Sequence, residues 1–249
     1  MASLRFSSLL LLSCIFVFAS ARDSPNAPAP KFSRAYAPAP KVSLAVYYQT
    51  LCPSCSSFIL NNLSEAFDNG LINILDIKLV PFGNAKIHGN DTITCQHGPD
   101  ECFLNTVEAC AIDVWPNLYD HFTFISCVEE LSPDVKYIVW QSCFRKLNLD
   151  PRPILACSHG RRGKELELKY GKITGSLRPP LEFVPWVTVN NQPLFMDYEG
   201  YTSYVCNAYQ GTAVPRICKS GTYLNPPREM PSPAPGPVLH EVVFGTHRL

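Results

Sequence analysis

Two cysteines separated by two residues, Cys52 and Cys55, are the pair in this sequence best suited to redox chemistry. They follow an apolar, β-type stretch and precede a segment with helical periodicity. A thiol at the N-terminus of a helix meets free backbone N–H groups and the positive end of the helix dipole, and both favour the thiolate. We therefore predict that Cys52 attacks a substrate disulfide and that Cys55 resolves the mixed disulfide.

A C-x-x-C pair can also be a structural disulfide or half of a zinc site. A zinc site needs a second pair of ligands. Cys95 with His97 and Cys157 with His159 are the candidates, and neither pair has ordinary zinc spacing. The pattern favours redox chemistry and predicts no metal ion.

The elements that must position these cysteines have the order strand, C-x-x-C, helix, strand. Residues 42–48 are β-branched and aromatic, which predicts a buried strand. A helix follows the cysteines and ends at Gly70, and residues 72–80 form a second strand. Two apolar stripes with helical spacing follow, one through Phe103, Val107, Cys110 and Val114 and one through Val135, Val139, Cys143 and Leu147. Helices are also predicted over 117–131 and 201–209, while the segment 164–170 could be a helix or a strand. A strand is predicted in 183–189, followed by a hairpin turn at Asn190-Asn191.

This order predicts an α/β chain, namely a thioredoxin-like fold with a helical, disulfide-stapled insertion. Pro185 lies inside a strand-like segment, where a proline removes a ladder hydrogen bond. A cis Val184–Pro185 bond facing the C-x-x-C would explain this proline and would position a substrate strand. An edge-strand proline is the alternative.

A second cluster of cysteines and polar residues lies between residues 95 and 110. Together with the block at 179–190 and with Cys206, it resembles the signature of the gamma-interferon-inducible lysosomal thiol reductase family, and the resemblance covers about residues 42–220. It implies a thioredoxin-like fold, reduction of protein disulfides, typically at acidic pH, and attacking and resolving roles for Cys52 and Cys55. The matching residues are Cys95, Gln96, His97, Gly98, Glu101, Cys102, Asn105 and Cys110.

We assign this signature to architecture and not to direct chemistry. Cys110 lies on an apolar helical stripe and is predicted to be a buried staple. His97 is predicted to be a structural histidine in a turn, and Glu101 and Asn105 to hydrogen-bond the preceding loop.

The composition narrows the class of partner. The chain has 249 residues, 46% of them hydrophobic, with 21 basic and 21 acidic side chains and no basic run. Nucleic-acid surfaces need clustered Lys and Arg, so no nucleic-acid partner is predicted. The predicted partners are disulfide-containing protein substrates and a small-thiol or protein reductant, and no cofactor is needed.

The N-terminus resembles a secretory signal over residues 1–21, with Arg5, an apolar run and the small-x-small site Ala19-Ser20-Ala21. A membrane anchor is the alternative, but the run is too short to span a bilayer. A Pro/Ala-rich linker (22–41), the reductase domain (42–223) and a Pro-rich tail (224–249) follow. We predict the secretory pathway, ending outside the cell or in the lysosome or vacuole, with no membrane span after cleavage.

Signal cleavage would remove Cys14 and leave ten of the 11 cysteines, an even number that suits disulfides in an oxidising compartment. We predict the bonds Cys143–Cys157 and Cys206–Cys218. The sequons at Asn62 and Asn90 are predicted glycosylation sites.

Two other functions use the same residues. An oxidase or isomerase would employ Cys52 and Cys55 with a different reduction potential, which the sequence does not give. A non-enzymatic, disulfide-stapled binding protein would keep the Cys52–Cys55 bond closed.

Overall fold

A four-stranded sheet forms the centre of the protein in the computed structural model, which describes residues 39–220. Strand β1 (Val42–Tyr48) pairs in parallel with β2 (Leu75–Pro81) and antiparallel with β5 (Trp186–Val189), and β5 pairs with β6 (Gln192–Pro193). The order β2-β1-β5-β6 makes β1 a central strand. The predicted signal, most of the linker and the C-terminal tail lie outside the described residues.

Strand β1 has a hydrophobic core on each of its faces, as the alternation of side chains along a strand requires. Leu44 and Val46 pack into the first core with the helical segments that follow the C-x-x-C. Ala45 and Tyr47 pack into the second core with helices of the insertion. The strand is therefore held on both faces, and its C-terminal end delivers the chain to Cys52 in a fixed position.

The first helical segments follow the C-x-x-C directly. Helix α1 (Pro53–Ser57) continues through a wider helical turn (Phe58–Leu63) into α2 (Glu65–Asp68). Gly70 then adopts a left-handed conformation, with φ of 81°, which ends the helix as predicted. A short helical turn (Leu71–Ile74) precedes β2, so the second strand begins later than predicted.

The insertion between β2 and β5 is helical, which confirms the predicted fold class. A small two-stranded hairpin, β3 (Lys86–Ile87) and β4 (Ile93–Thr94), leads into it. No helix within residues 39–220 is long and apolar enough to cross a membrane. The insertion comprises α3 (Pro99–Val114), α4 (Leu118–Glu129), α5 (Pro133–Val139), α6 (Ser142–Leu147), α7 (Arg152–Ser158) and α8 (Arg161–Gly175).

The ambiguous segment 164–170 is part of α8. Leu166 and Tyr170, four residues apart, are both buried, whereas the strand-like alternation would also have required Leu168 to be buried. Gly163 lets this helix approach its neighbours, because a Cβ there would lie 2.7 Å from the Thr106 side chain of α3. Close packing against α3 therefore explains why the segment 164–170 is a helix and not a strand.

The segments after α8 are of the predicted types, but some of them begin at other residues than predicted. The strand begins only at Trp186, since the cis Val184–Pro185 bond precedes it. The turn at Asn190-Asn191 has positive φ at both residues, as a tight hairpin turn requires. A helical turn (Phe195–Gly200) then leads into α9 (Tyr201–Ala208).

The predicted stripe through Val135 and Val139 is wrong. Both side chains are exposed, while Lys136 and Trp140 face the interior. The helix also breaks, so that α5 and α6 are separate elements. The buried ion pair of Lys136 fixes the orientation of α5 and overrides its apolar periodicity.

The disulfides correct one predicted pairing. Cys206 pairs with Cys218, as the sequence suggested. The predicted Cys143–Cys157 bond is wrong, because helix packing and not nearness in sequence selects the partners. Cys143 on α6 bonds to α4, and Cys157 on α7 bonds to α3. The observed bonds are Cys95–Cys102, Cys110–Cys157, Cys127–Cys143 and Cys206–Cys218.

Removing a staple tests this connectivity. The Cys110–Cys157 bond closes a sequence separation of 47 residues, against 12 for Cys206–Cys218. In the chain-entropy model the double variant Cys110→Ala/Cys157→Ala loses about 4 kcal/mol of unfolding free energy, and the matched Cys206→Ala/Cys218→Ala variant loses about 3 kcal/mol. Urea unfolding measures both losses, and non-reducing peptide mapping that links Cys143 to Cys157 would contradict the connectivity.

The two sequons occupy different environments. Asn90 is exposed in the turn between β3 and β4. Asn62 is half-buried, and its carbonyl oxygen accepts a hydrogen bond from the Tyr201 hydroxyl at 2.9 Å. Asn90 is therefore the more accessible of the two predicted glycosylation sites.

Candidate active site

The two thiols lie at the point where β1 gives way to α1. Cys52 is the N-terminal cap of α1, and its Sγ accepts a hydrogen bond from the backbone N–H of Cys55 at 3.4 Å. Pro53 occupies the first helical turn, where no N–H is needed. Cys52 is half-buried, Cys55 is fully buried, and both are free thiols. Solvent therefore reaches the first sulfur and not the second.

The surroundings of the two thiols separate their acidities. A hydrogen bond from the Cys55 side chain, assisted by the backbone N–H groups of Cys55 and Ser54, lowers the pKa of Cys52 to about 7, against the opposing effect of burial. Burial, followed by the hydrogen bond to Cys52 and its charge, raises the pKa of Cys55 well above its usual range. The pair thus consists of a partly exposed thiolate and a sheltered thiol.

The loop before β5 faces the thiols. The Val184–Pro185 peptide bond is cis, and the carbonyl oxygen of Val184 lies 4.0 Å from the Sγ of Cys52. Phe183 continues this surface and contacts the ring of Tyr198. Tyr198 also packs edge-on against Phe58, beyond the C-x-x-C, so that an aromatic rim borders the dithiol.

Gln49, between β1 and Cys52, joins this segment to the signature loop. Its Nε2 donates to Oε1 of Gln96 at 3.1 Å and lies 3.2 Å from Nδ1 of His97. Its Oε1 accepts the backbone N–H of Asn84 at 2.9 Å. His97 Nδ1 in turn lies 2.5 Å from Oε2 of the buried Glu101. The signature residues therefore hold the segment that precedes Cys52.

Thr50, two residues before Cys52, is fixed through its backbone. Its N–H donates to Oδ1 of Asn105 at 3.0 Å, and its carbonyl oxygen accepts from Nζ of Lys136 at 2.6 Å. Asn105 is nearly fully buried, as are Thr50 and Lys136. Helices α3 and α5 of the insertion thus hold the two peptide groups that flank the Thr50 Cα, which leaves the start of α1 little freedom.

The asparagine of this contact gives a second prediction. Asn105→Ala leaves the buried Thr50 N–H without an acceptor and should cost about 1–3 kcal/mol of unfolding free energy. Cys52 should also react more slowly with an alkylating agent, because its helix start is loosened. Asn207→Ala, at an exposed position of α9, is the control and should change neither value. If Asn105→Ala had the stability and the thiol reactivity of the wild type, the contact between Asn105 and Thr50 would have no role in positioning Cys52.

The zinc alternative would require sulfurs that are engaged elsewhere. Cys95 is bonded to Cys102, and Cys157 is bonded to Cys110. A disulfide sulfur carries no thiolate for a metal ion. Glu167 lies beside the Cys95–Cys102 bridge, but two of the three possible ligands there are the bonded sulfurs.

The sequence predicted the two thiols, the signature and the proline loop as site residues, but it did not predict several residues that surround them. Tyr198 belongs to no sequence motif, and only the fold brings it close to the two thiols. Gln49 is near Cys52 in sequence, and a polar residue at the end of a buried strand was a usable signal. The buried charged residues below α1 were also missed, namely Glu108, Glu129 and Lys136.

Two solved structures share the fold of this chain. BdbD from Bacillus subtilis, in its oxidised form, aligns over 66% of this chain and 85% of its own, with a TM-score of 0.50 and 14% identity. A thioredoxin-like oxidoreductase from Silicibacter pomeroyi DSS-3 aligns over 68% and 86%, with a TM-score of 0.50 and 10% identity. These similarities show the fold. Together, the fold and the free C-x-x-C pair define a thioredoxin-like thiol–disulfide oxidoreductase.

Sequence relatives identify the family. The model of the gamma interferon inducible lysosomal thiol reductase family matches residues 43–147. The chain is 42% identical to an Arabidopsis thaliana gamma-interferon-responsive lysosomal thiol protein, over 74% of this chain and 78% of the relative. It is 38% identical to the Mus musculus gamma-interferon-inducible lysosomal thiol reductase, over 74% of each. The chain belongs to the gamma-interferon-inducible lysosomal thiol reductase family.

Proposed function

We propose that this enzyme reduces protein disulfides, with Cys52 as the attacking thiolate and Cys55 as the resolving thiol. The observation that carries the proposal is the opposite environment of the two sulfurs within one helical turn. Cys52 is accessible and has a pKa lowered to about 7, whereas the pKa of buried Cys55 is raised. A reductase needs this difference, because Cys52 must attack the substrate while Cys55 remains a protonated thiol until the mixed disulfide has formed.

The exchange proceeds in two balanced steps. The Cys52 thiolate attacks a substrate disulfide, forms a mixed disulfide and releases the first substrate thiolate, which takes a proton. Cys55 then loses its proton, attacks Sγ of Cys52 and releases the second substrate thiol. The product is a Cys52–Cys55 disulfide, and a small-thiol or protein reductant must return two electrons to it.

The cis Val184–Pro185 loop supports a role in substrate positioning. The Val184 carbonyl faces the attacking sulfur, so an extended substrate strand could pair with this backbone next to Cys52. Tyr198, whose ring lies near that of Phe183 in the same loop, offers an apolar contact beside it. A disulfide within an extended protein segment fits this surface.

Activity at acidic pH and the compartment belong to the proposal as well. A thiol whose pKa is lowered keeps more thiolate in acid than an ordinary cysteine does. Two of the relatives are named as lysosomal thiol proteins. We therefore place the enzyme in the secretory pathway, outside the cell or in the lysosome or vacuole. The proposal also includes the domain at 42–223 with its flanking signal, linker and tail, and glycosylation at Asn62 and Asn90.

Reduction of a protein disulfide between about pH 4 and pH 8 tests this function. The wild type should reduce the substrate and should retain activity on the acidic side, whereas Cys52→Ser should be inactive. Redox equilibration with glutathione separates a reductase from an oxidase or isomerase through its potential. A chain with a permanently closed Cys52–Cys55 bond and no labile thiol would instead be a binding protein.

A further inference from the structure

The Cys95–Cys102 disulfide is open to solvent at both of its cysteines. Each of the other three bridges in residues 39–220 contains at least one buried cysteine. The Cys95–Cys102 bridge also closes a sequence separation of only 7 residues, so its opening frees a short loop and little else of the fold. A thiol can therefore reach and reduce this bridge while the protein stays folded.

A pocket with a volume of about 360 Å³ opens beside Cys95. It is lined by Asn84, Lys86, Thr94, Cys95 and Gln96. This volume lies in the range of sites for small molecules. The partner sulfur, on Cys102, does not line the pocket, so a small molecule bound there approaches the bridge from Cys95.

The lining of this pocket favours an anion. Lys86 is its one charged residue among those described, is exposed, and has no ion-pair partner within residues 39–220. The amide groups of Asn84 and Gln96 and the hydroxyl group of Thr94 are hydrogen-bond donors suited to a carboxylate. A small thiol that carries carboxylates therefore matches the pocket in size and in charge.

Glu167 of α8 offers a proton to the same bridge. One of its carboxylate oxygens lies within 4.8 Å of both sulfurs of the Cys95–Cys102 bond. Glu167 is 9% exposed, and this burial raises the pKa of its carboxyl group against the opposing charge of Lys164. A carboxyl group that keeps its proton to a higher pH can pass it to a departing thiolate.

The loop that the bridge closes is also the loop that holds Gln49. Two residues inside it, Gln96 and His97, both contact Nε2 of Gln49, which lies three residues before Cys52. Asn84, in the wall of the pocket, donates its backbone N–H to Oε1 of Gln49 at 2.9 Å. Opening the bridge therefore loosens the contacts that fix the segment before Cys52.

We propose that the Cys95–Cys102 bridge is a second redox centre, which a small thiol bearing carboxylates opens from the pocket beside Lys86, and that its opening releases the segment before Cys52. The opening of the bridge does not depend on the proposed function, whereas the control of Cys52 rests on it. The closed bridge keeps the attacking sulfur at its activated position, and the open bridge lowers the reactivity of that sulfur.

The opening consumes two small thiols. The first, as a thiolate, attacks Sγ of Cys95 and forms a mixed disulfide, while Cys102 leaves as a thiolate and takes a proton from Glu167. The second thiol attacks the small-molecule sulfur of the mixed disulfide and releases Cys95 as a thiol. The bridge gains two electrons and two protons, the two thiols become one small disulfide, and Glu167 regains its proton from solvent.

Glutathione, which bears two carboxylates, and cysteamine, which bears none, are the probes for the pocket. Timed alkylation and peptide mapping of the oxidised protein should find Cys95–Cys102 opened by glutathione while the other three bridges stay closed. Lys86→Met should slow this opening about fivefold, the effect of one charge about 4 Å away in water, and should not slow opening by cysteamine. Lys219→Met, at an exposed lysine next to a different bridge, is the matched control and should slow neither.

Two results would overturn the site. One is a wild-type rate of opening by glutathione in Lys86→Met. The other is opening of the more buried bridges as fast as that of Cys95–Cys102, which would mean that the pocket gives this bridge no advantage.

The same samples test the control of Cys52. Brief treatment with glutathione yields molecules with an open bridge and molecules with a closed bridge, which chromatography separates. At about pH 6, Cys52 should be alkylated about threefold more slowly in the open form, because the contacts that fix its helix start are loosened. Equal rates in the two forms would overturn the control.

Cys52→Ser keeps the two proposals separate. Glutathione should open the bridge in Cys52→Ser as fast as in the wild type, because the small thiol attacks Cys95 directly. A bridge that stays closed in Cys52→Ser would identify Cys52 as its reductant and would overturn entry through the pocket. A wild type that opens the bridge as predicted but reduces no protein disulfide would contradict only the proposed function.

Discussion

Cys52→Ser should lower the rate of protein-disulfide reduction by at least about a thousandfold, the scale expected when an enzyme loses its nucleophile. No other free thiol in residues 39–220 can replace it, because Cys55 is buried and the remaining cysteines are in disulfides. Cys55→Ser should also be inactive in turnover, but for a different reason. Its Cys52 can still attack, so mixed disulfides with substrate should accumulate.

Non-reducing electrophoresis and mass mapping detect these mixed disulfides. Ser57→Ala, an exposed substitution on the same helix, should retain wild-type turnover and form no lasting adduct. Adducts that accumulate with Cys52→Ser and not with Cys55→Ser would reverse the assignment of the attacking and resolving sulfurs.

Lys136→Met should destabilise the protein by about 3–5 kcal/mol, the range for breaking a buried ion pair by removing one partner. The substitution leaves Glu129 and the Thr50 carbonyl without their ammonium donor inside the core. The loss should be smaller in Glu129→Gln/Lys136→Met, where no uncompensated charge is buried. Urea unfolding of the reduced and oxidised forms measures these losses.

A surface lysine provides the control for this prediction. Lys146 pairs with Glu130 at 2.6 Å, and the side chains are 59% and 54% exposed. Lys146→Met should change the unfolding free energy by no more than about 0.5 kcal/mol, since exposed pairs contribute little. Equal losses for Lys136→Met and Lys146→Met would show that burial adds nothing to the first pair.

The central α/β unit could be predicted because its signals are local. The β-branched run of β1, the C-x-x-C and Gly70 lie within thirty residues of one another, and each has one dominant structural meaning. Pro185 was informative for a similar reason, because a proline at the start of a buried strand has few explanations.

The insertion was harder to predict because its decisive contacts are between distant residues. The periodicity of Val135 and Val139 indicated the wrong buried face for α5, and only the contact of Lys136 with Glu129 and Thr50 corrects it. The partner of Cys143 likewise depends on the packing of α6 against α4. Sequence spacing carries no information on such contacts.

The signature residues could be predicted only in part. Their architectural role followed from their polar character and from the helix that they begin. Which atoms they hold did not follow, since Gln49 and Thr50 are about fifty residues away along the chain. The structure shows that Gln96, His97 and Asn105 act on the segment immediately before Cys52.

The pH dependence of Cys52 alkylation in the reduced protein tests the central claim most directly. A free cysteine ionises with a pKa of about 8.5. The hydrogen bonds that Cys52 receives at the start of α1 lower its pKa to about 7, so alkylation should have its midpoint there, with Cys55 unreactive over the same range. A midpoint equal to that of a free cysteine would contradict an activated thiolate at Cys52.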